Sequence, residues 1–376
     1  MAEYKQVLKV LYRIITPIHI GMGADISPFE YVIKDGNFYR IESDDLISGL
    51  SEEQLKRFYS YIESNNLIGL RNVILENFNE SYAKYKISVT RSVVEKYDKS
   101  INDVRNQLLI SPFIRSVSDF RPYLPGSSIK GAIRTAIIND AVQNEIKKIG
   151  RHKLKEFQKK LFDKKGHWEL ELVGAIVKTR GGERSDAKRD PFRVLKVSDV
   201  YLSDEFFHVG EVLNASVNER RGRVETVGIQ MFKEVLLGEV NLSKPVEFEG
   251  EIRIDEILSE AKYKGIETED RIEKWIPMAL SKDYIIKTCN DFYLNEFKRE
   301  REFFEFAVDM HDVLDKIGKI LSPSKDEFVI RVGRFSGVTA VTVNEIRKPH
   351  NKKWGNTKNL FEGKFPMGWV KVKFLS

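Results

Sequence analysis

The chain has 376 residues, with 62 Lys and Arg against 56 Asp and Glu, for a formal charge of +6. That length allows two or three domains with sizeable cores. The small basic excess is compatible with a polyanionic partner without requiring one. The single cysteine, Cys289, excludes a disulfide framework and a cysteine-built zinc site, and fits a reducing cytoplasm.

In chain order, residues 6–20 read as a strand, in which VLKVLYRIIT (7–16) alternates apolar with basic or aromatic residues. Lys5, Lys9 and Arg13 interrupt its apolar character, so neither a signal-peptide core nor a membrane span fits, and no later apolar run is long enough to span. Pro17 and the Gly21-Met22-Gly23 turn end the strand. EYVIK (30–34) and FYRI (38–41) meet across Asp35-Gly36-Asn37 as a hairpin. Residues 51–110 read as helix in pieces, opening on a Ser51 cap. PYLPGSSIKGAIRTA (122–136) is an extended Pro/Gly entry to a long amphipathic helix starting near Ile129, with Ser127 or Ser128 as its cap.

KTRGGERSDAKRDPFR (178–193) reads as a loop, too poor in apolar residues to pack. Strands are expected at 192–202, 211–219, 223–232 and 245–255, helix over roughly 268–320, and two closing strands at 328–335 and 368–375. The pattern is α+β: two halves with antiparallel sheets and inserted helices, each resembling a βαββαβ, ferredoxin-like unit, divided as 1–203 and 204–376.

Several segments could carry chemistry. The turn at Gly126 leaves free N–H groups at a helix start, and Lys130 with Arg134, four apart, share a face; together these suit a phosphate. Gly131 in the first turn is tolerable where another backbone comes close. His19, in TPIHIGMGAD (16–25), is a candidate general base but more readily a core histidine, with Gly21 and Gly23 following it. The six histidines lack metal-ligand spacing, and no metal or cofactor is expected. In VGRFSGVT (332–339), Gly333 and Gly337 flank Arg334 and Phe335, a cation and a stacking surface suited to single-stranded RNA. Two basic clusters suit a polyanion: Arg180, Arg184, Lys188 and Arg189 in the loop, and Arg220, Arg221 and Arg223 in NERRGR (218–223). Asp25, Asp119, Asp186, Asp190 and Asp199 are loop aspartates expected mostly as caps and turn formers.

TPIHIGMG, PYLPGSSIKGAIRTA, RDPFRVLKVSDV (189–200), GRFSGVTAVTV (333–343) and PMGWVKVKF (366–374), in this order, resemble the RAMP superfamily of CRISPR proteins. Within it, FIRSVSDFRPYLPGSSIKGAIRT paired with DPFRVLKVSDV most resembles the fifth Csm subunits of type III-A effector complexes. The resemblance implies two RNA-recognition-like (RRM-like), ferredoxin-type domains in a cytoplasmic, non-catalytic subunit that caps the filament and holds the 3′ region of the crRNA through glycine-rich loops. Its implied partners are the crRNA, the repeated backbone subunit, the small helical subunit and host trimming nucleases, with no membrane. The exposed aromatic pairs of standard RNA-recognition motifs are absent, so the loops rather than the open sheet face are expected to bind. Three other readings remain open: a target-cleaving backbone subunit using Asp25, a repeat-processing endoribonuclease using His19, and an adaptor that touches protein alone.

Overall fold

The computed structural model describes residues 6–103, 107–162, 169, 176–179, 182–185, 190–228, 231–255, 280–345 and 355–375. Its first sheet is antiparallel, in the order Glu327–Arg331, Trp369–Phe374, Gln6–Ile14, Glu247–Ile254, Leu195–Val197. The alternation read in the sequence is what seats the first strand. Leu8, Val10, Tyr12 and Ile14 are buried on one face, while Val7 and Lys9, alternating with the first of them, stay exposed. Helices Gly126–Ile149 and Lys282–Phe303 pack against this sheet.

Taken in chain order, Gln6–Ile14, helix Gly126–Ile149, Leu195–Val197, Glu247–Ile254, helix Lys282–Phe303 and Trp369–Phe374 form a βαββαβ unit. This is the ferredoxin-like arrangement, with Glu327–Arg331 added outside its last strand. The unit runs nearly end to end, because the first strand pairs with strands from the far half of the chain. The sheets therefore do not divide at residue 203.

The second sheet is built from the segments between those strands. Its order is Phe365–Pro366, Lys358–Phe361, Phe207–Asn218, Ala83–Val89, Asn37–Ile41, Tyr31–Lys34, and Met231–Leu236 also pairs with Phe207–Asn218. Its pairings are mostly antiparallel, as expected; two short ones are parallel, His208–Val209 with Ser88–Val89 and Phe232–Lys233 with Ile110–Ser111.

The hairpin turn forms where expected, with Asp35 and Gly36 both at positive φ. The region read as helical over 51–110 also holds the strand Ala83–Val89, whose β-branched end pairs across the second sheet. The helix expected to reach 320 breaks after Phe303 and restarts at Val308. The segment read as a loop carries a short hairpin, Ile176–Thr179 with Gly182–Ser185.

Candidate nucleic-acid interface

Three segments distant in sequence meet at one groove of about 520 Å³. Ile20, Gly21 and Gly23 follow the first strand; Ser128, Gly131 and Thr135 come from the long helix; Gly333, Arg334 and Ser336 follow the strand Glu327–Arg331. The two loops are stitched together by backbone. The Arg334 N–H donates to the His19 carbonyl at 3.0 Å. Gly333 sits at φ +91°, and a Cβ there would lie 2.7 Å from that same carbonyl, so only glycine fits. Arg331, in the groove wall, is held by Glu300 at 2.6 Å and by the Met367 carbonyl at 2.9 Å.

No carboxylate lines this groove among the described residues, and its exposed cation, Arg334, makes no side-chain bond there. A larger opening of about 970 Å³ lies beyond the turn Val338–Ala340, but Glu219, Glu302 and Glu345 share its lining with Arg299 and Lys358. Mixed charge suits a polyanion poorly, so the smaller groove is the better candidate.

The long helix starts earlier than its sequence suggests. It begins at Gly126, with Pro125 at the cap position and no side-chain cap, so Ser127 and Ser128 are first-turn residues. Asp199 does the capping from a distance, accepting from the Gly126 N–H at 2.7 Å. Asp190 and Asp119 also act as expected of turn formers, accepting from the N–H groups of Phe192 and Arg121. The anion that a helix N-terminus favours is here a carboxylate of the chain itself.

Lys130 and Arg134 do share a face, but not the groove face. The groove side carries Ser128, Gly131 and Thr135, and two residues on from Ser128 is about 200° round the helix. Arg134 pairs with Asp190 at 3.1 Å and stacks 4.5 Å over Phe192. It fastens the segment before Leu195–Val197. Burial holds the half-buried Lys130 ammonium below its usual range.

Gly126 and Gly131 differ in what surrounds them. Helix propensity favours alanine at either by about 1 kcal/mol. A methyl at Gly126 would collide with the Val197 carbonyl, whereas one at Gly131 would meet nothing. Gly126→Ala is therefore expected to lower stability by about 1–3 kcal/mol, and Gly131→Ala to raise it by up to about 1 kcal/mol. Urea midpoints of the two variants against the parent check the opposite signs.

His19 is a core residue. It is 1% exposed, its Nδ1–H donates to the Glu234 carbonyl at 2.8 Å, and its ring lies 5.8 Å from Phe335. Burial, chiefly, lowers its pKa to about 4, with Lys233 and Arg334 adding to the effect, so the ring is neutral near pH 7. Phe335, expected as a stacking surface, is 8% exposed and packs with Val212, Val235 and Met367. An alternating loop places Arg334 outward and Phe335 inward. Gly337, at φ +87°, begins the turn that walls the groove.

Arg220, Arg221 and Arg223 are exposed at the tip of the hairpin joining Phe207–Asn218 to Arg223–Thr226. Glu225 pairs with Arg221 at 2.9 Å and with Arg223 at 3.6 Å, and its negative charge weakens the three as a basic patch. Arg180, Lys188 and Arg189 lie outside the described residues; Arg184 is placed only as part of the strand Gly182–Ser185. Asp25 is exposed and accepts a hydrogen bond from Ser111. Sequence reasoning missed Lys233, Arg331, Tyr293 and Thr135. The small residues spaced Ser128, Gly131, Thr135 were the one available signal for the groove face.

The RAMP superfamily matches residues 12–336. A protein of Methanocaldococcus jannaschii described as CRISPR system Cms protein Csm5 is 28% identical over 207 residues, 53% of this chain and 44% of its own length. A protein of Streptococcus thermophilus with the same description is 27% identical over 132 residues, 33% of this chain and 36% of its own. The aligned parts thus span less than half of these curated relatives. Among solved structures, a chain of the cryo-EM structure of a Csm-crRNA-target RNA ternary complex in a type III-A CRISPR-Cas system superposes with a TM-score of 0.72 at 20% identity, covering 98% of this chain and 100% of that one. The crystal structure of T.onnurineus Csm5 gives 0.67 at 20% identity, covering 96% and 99%. At that identity the structural likeness speaks for the fold.

Proposed function

The chain belongs to the RAMP superfamily, and on that premise we propose that it is a crRNA-binding structural subunit of a type III-A Csm effector complex. It caps the filament at the 3′ part of the crRNA and leaves trimming to other nucleases. Its protein partners are the backbone subunit and the small helical subunit.

One observation carries the RNA reading: the convergence of Gly21–Gly23, Ser128–Thr135 and Gly333–Ser336 on a groove free of carboxylates among the described residues, with Arg334 exposed in it. Bare backbone, the hydroxyls of Ser128, Thr135 and Ser336, and the exposed Arg334 cation suit a sugar-phosphate chain whatever its bases. A guide must be held irrespective of spacer sequence, and this surface asks little of the bases. Arg220, Arg221 and Arg223 add a weaker attraction, since Glu225 pairs with two of them.

Support for a non-catalytic role comes from the two candidate bases. Asp25 is engaged by the Ser111 hydroxyl, and His19 is buried with its ring hydrogen-bonded to backbone. Neither residue is among those lining the groove.

The test is fluorescence-anisotropy titration of the full chain with labelled oligouridylate and with an unrelated sequence of equal length. Similar affinities are expected, with a log–log salt slope near 0.7 per phosphate contacted. Arg334→Ala should lower that slope and weaken binding more than alanine at Arg220, Arg221 and Arg223 together. Strong base preference, or metal-dependent cleavage abolished by Asp25→Ala, would refute the reading.

A further inference from the structure

We propose that the loop Gly21–Asp25, together with Arg334 and Lys233, forms a subsite for one RNA phosphodiester, with Lys233 as its anchoring cation. The proposal rests on the RNA reading above and names the chemical group that the groove grips at this end.

The loop supplies donors. The N–H groups of Gly23, Ala24 and Asp25 have no acceptor among the described residues, and all three residues are exposed. Gly23 stands at φ +91°, and the place its Cβ would occupy is empty. Consecutive outward amides around a left-handed glycine make a concavity that favours anions.

Two cations flank that loop. Arg334 is tied to it through the His19 carbonyl, and its guanidinium has no partner among the described residues. Lys233 is 6% exposed, and its ammonium donates to one group, the Ser111 hydroxyl, at 2.5 Å. The Ser111 hydroxyl in turn donates to Asp25. The nearest carboxylate is therefore joined to Lys233 only through an intervening hydroxyl, and no ion pair forms.

Burial first, and then repulsion from Arg334, hold the Lys233 ammonium below its usual range, while Asp25 opposes this. Two like charges kept close, one of them desolvated, are unfavourable unless an anion completes the arrangement. A phosphodiester supplies one negative charge and two acceptor oxygens, which matches two cations and a run of free amides. A nucleobase would leave both cations unpaired. Ser111, accepting from Lys233 and donating to Asp25, links the cation to the loop and so acts as a positioning residue.

The experiment is binding of a labelled oligouridylate in which each linkage in turn is a neutral methylphosphonate, to the parent chain and to Lys233→Met and Arg334→Gln. At one linkage, neutralisation should weaken binding to the parent by about tenfold, the scale of a charge-assisted hydrogen bond. At that linkage the penalty should fall below about twofold in each variant. Lys233→Met replaces a desolvated ammonium by an apolar side chain of similar length and should melt no lower than the parent. Arg334→Gln alters an exposed side chain and keeps the test decisive should the first variant fold poorly. Equal penalties in parent and variants at every linkage would overturn the subsite while leaving RNA binding intact. A second arm follows the Gly23–Asp25 amide resonances during titration with inorganic phosphate. Shifts there in a chain that binds no oligouridylate would assign the loop to free phosphate and refute both readings.

Discussion

Glu300→Ala is expected to destabilise the protein by about 3–5 kcal/mol, the scale for breaking a buried ion pair from one side. Glu300 is 1% exposed and its two oxygens are both in use. One accepts from Arg331 at 2.6 Å, the other from the Trp369 indole N–H at 2.8 Å. Arg331, 3% exposed, also lies 4.8 Å over the Trp369 ring and lines the groove. Truncation would strand a buried guanidinium and a buried indole donor together. Two further variants separate the pair's net worth from the penalty of stranding. Glu300→Gln keeps one carbonyl acceptor and should cost less. Glu300→Met with Arg331→Met removes both charges, and should cost far less than Glu300→Ala, because desolvation and attraction nearly cancel in a buried pair. Urea denaturation of the four proteins measures the series. Equal losses in Glu300→Ala and in the double variant would mean packing, not charge, is what matters here.

The second large effect is a pH dependence owed to His19. Burial lowers its folded pKa to about 4, against 6.5 when unfolded. As pH falls below about 6.5 the unfolded chain takes up a proton that the folded chain refuses, so stability drops with pH until about pH 4 and then levels. A shift of that size corresponds to a loss of about 3 kcal/mol across the window. The groups that face the ring are Lys233 and Arg334, which deepen the shift, and Asp25 and the Glu234 carbonyl, which oppose it. His19→Leu should lose the Nδ1–H bond to Glu234, costing about 1 kcal/mol at pH 7, and should flatten the slope between pH 6.5 and 4. A parent and variant with parallel stability profiles through that window would show that His19 does not titrate as its burial requires.

Much of the chain's local structure follows from sequence. Alternation in VLKVLYRIIT sets the first strand, and Asp35-Gly36 sets the turn of the hairpin Tyr31–Ile41, because strand faces and turn dihedrals depend on residues within a few positions. The glycines that punctuate the motifs at 23, 333 and 337 do adopt positive φ. The order of motifs along the chain sufficed to suggest the superfamily. Tertiary structure alone decided the rest. It interleaved the two sheets across residue 203, since strand partners are chosen by long-range burial and not by proximity in sequence. It turned Lys130 and Arg134 away from the groove, gave Arg134 to Asp190, and capped the helix with Asp199 rather than Ser127 or Ser128. It buried Phe335 and left Arg334 out. It also set Lys233 beside a loop some 200 residues earlier in the chain. A charged side chain's role depends on which opposite charge and how much water lie within a few ångströms, and those neighbours come from segments that no local pattern connects.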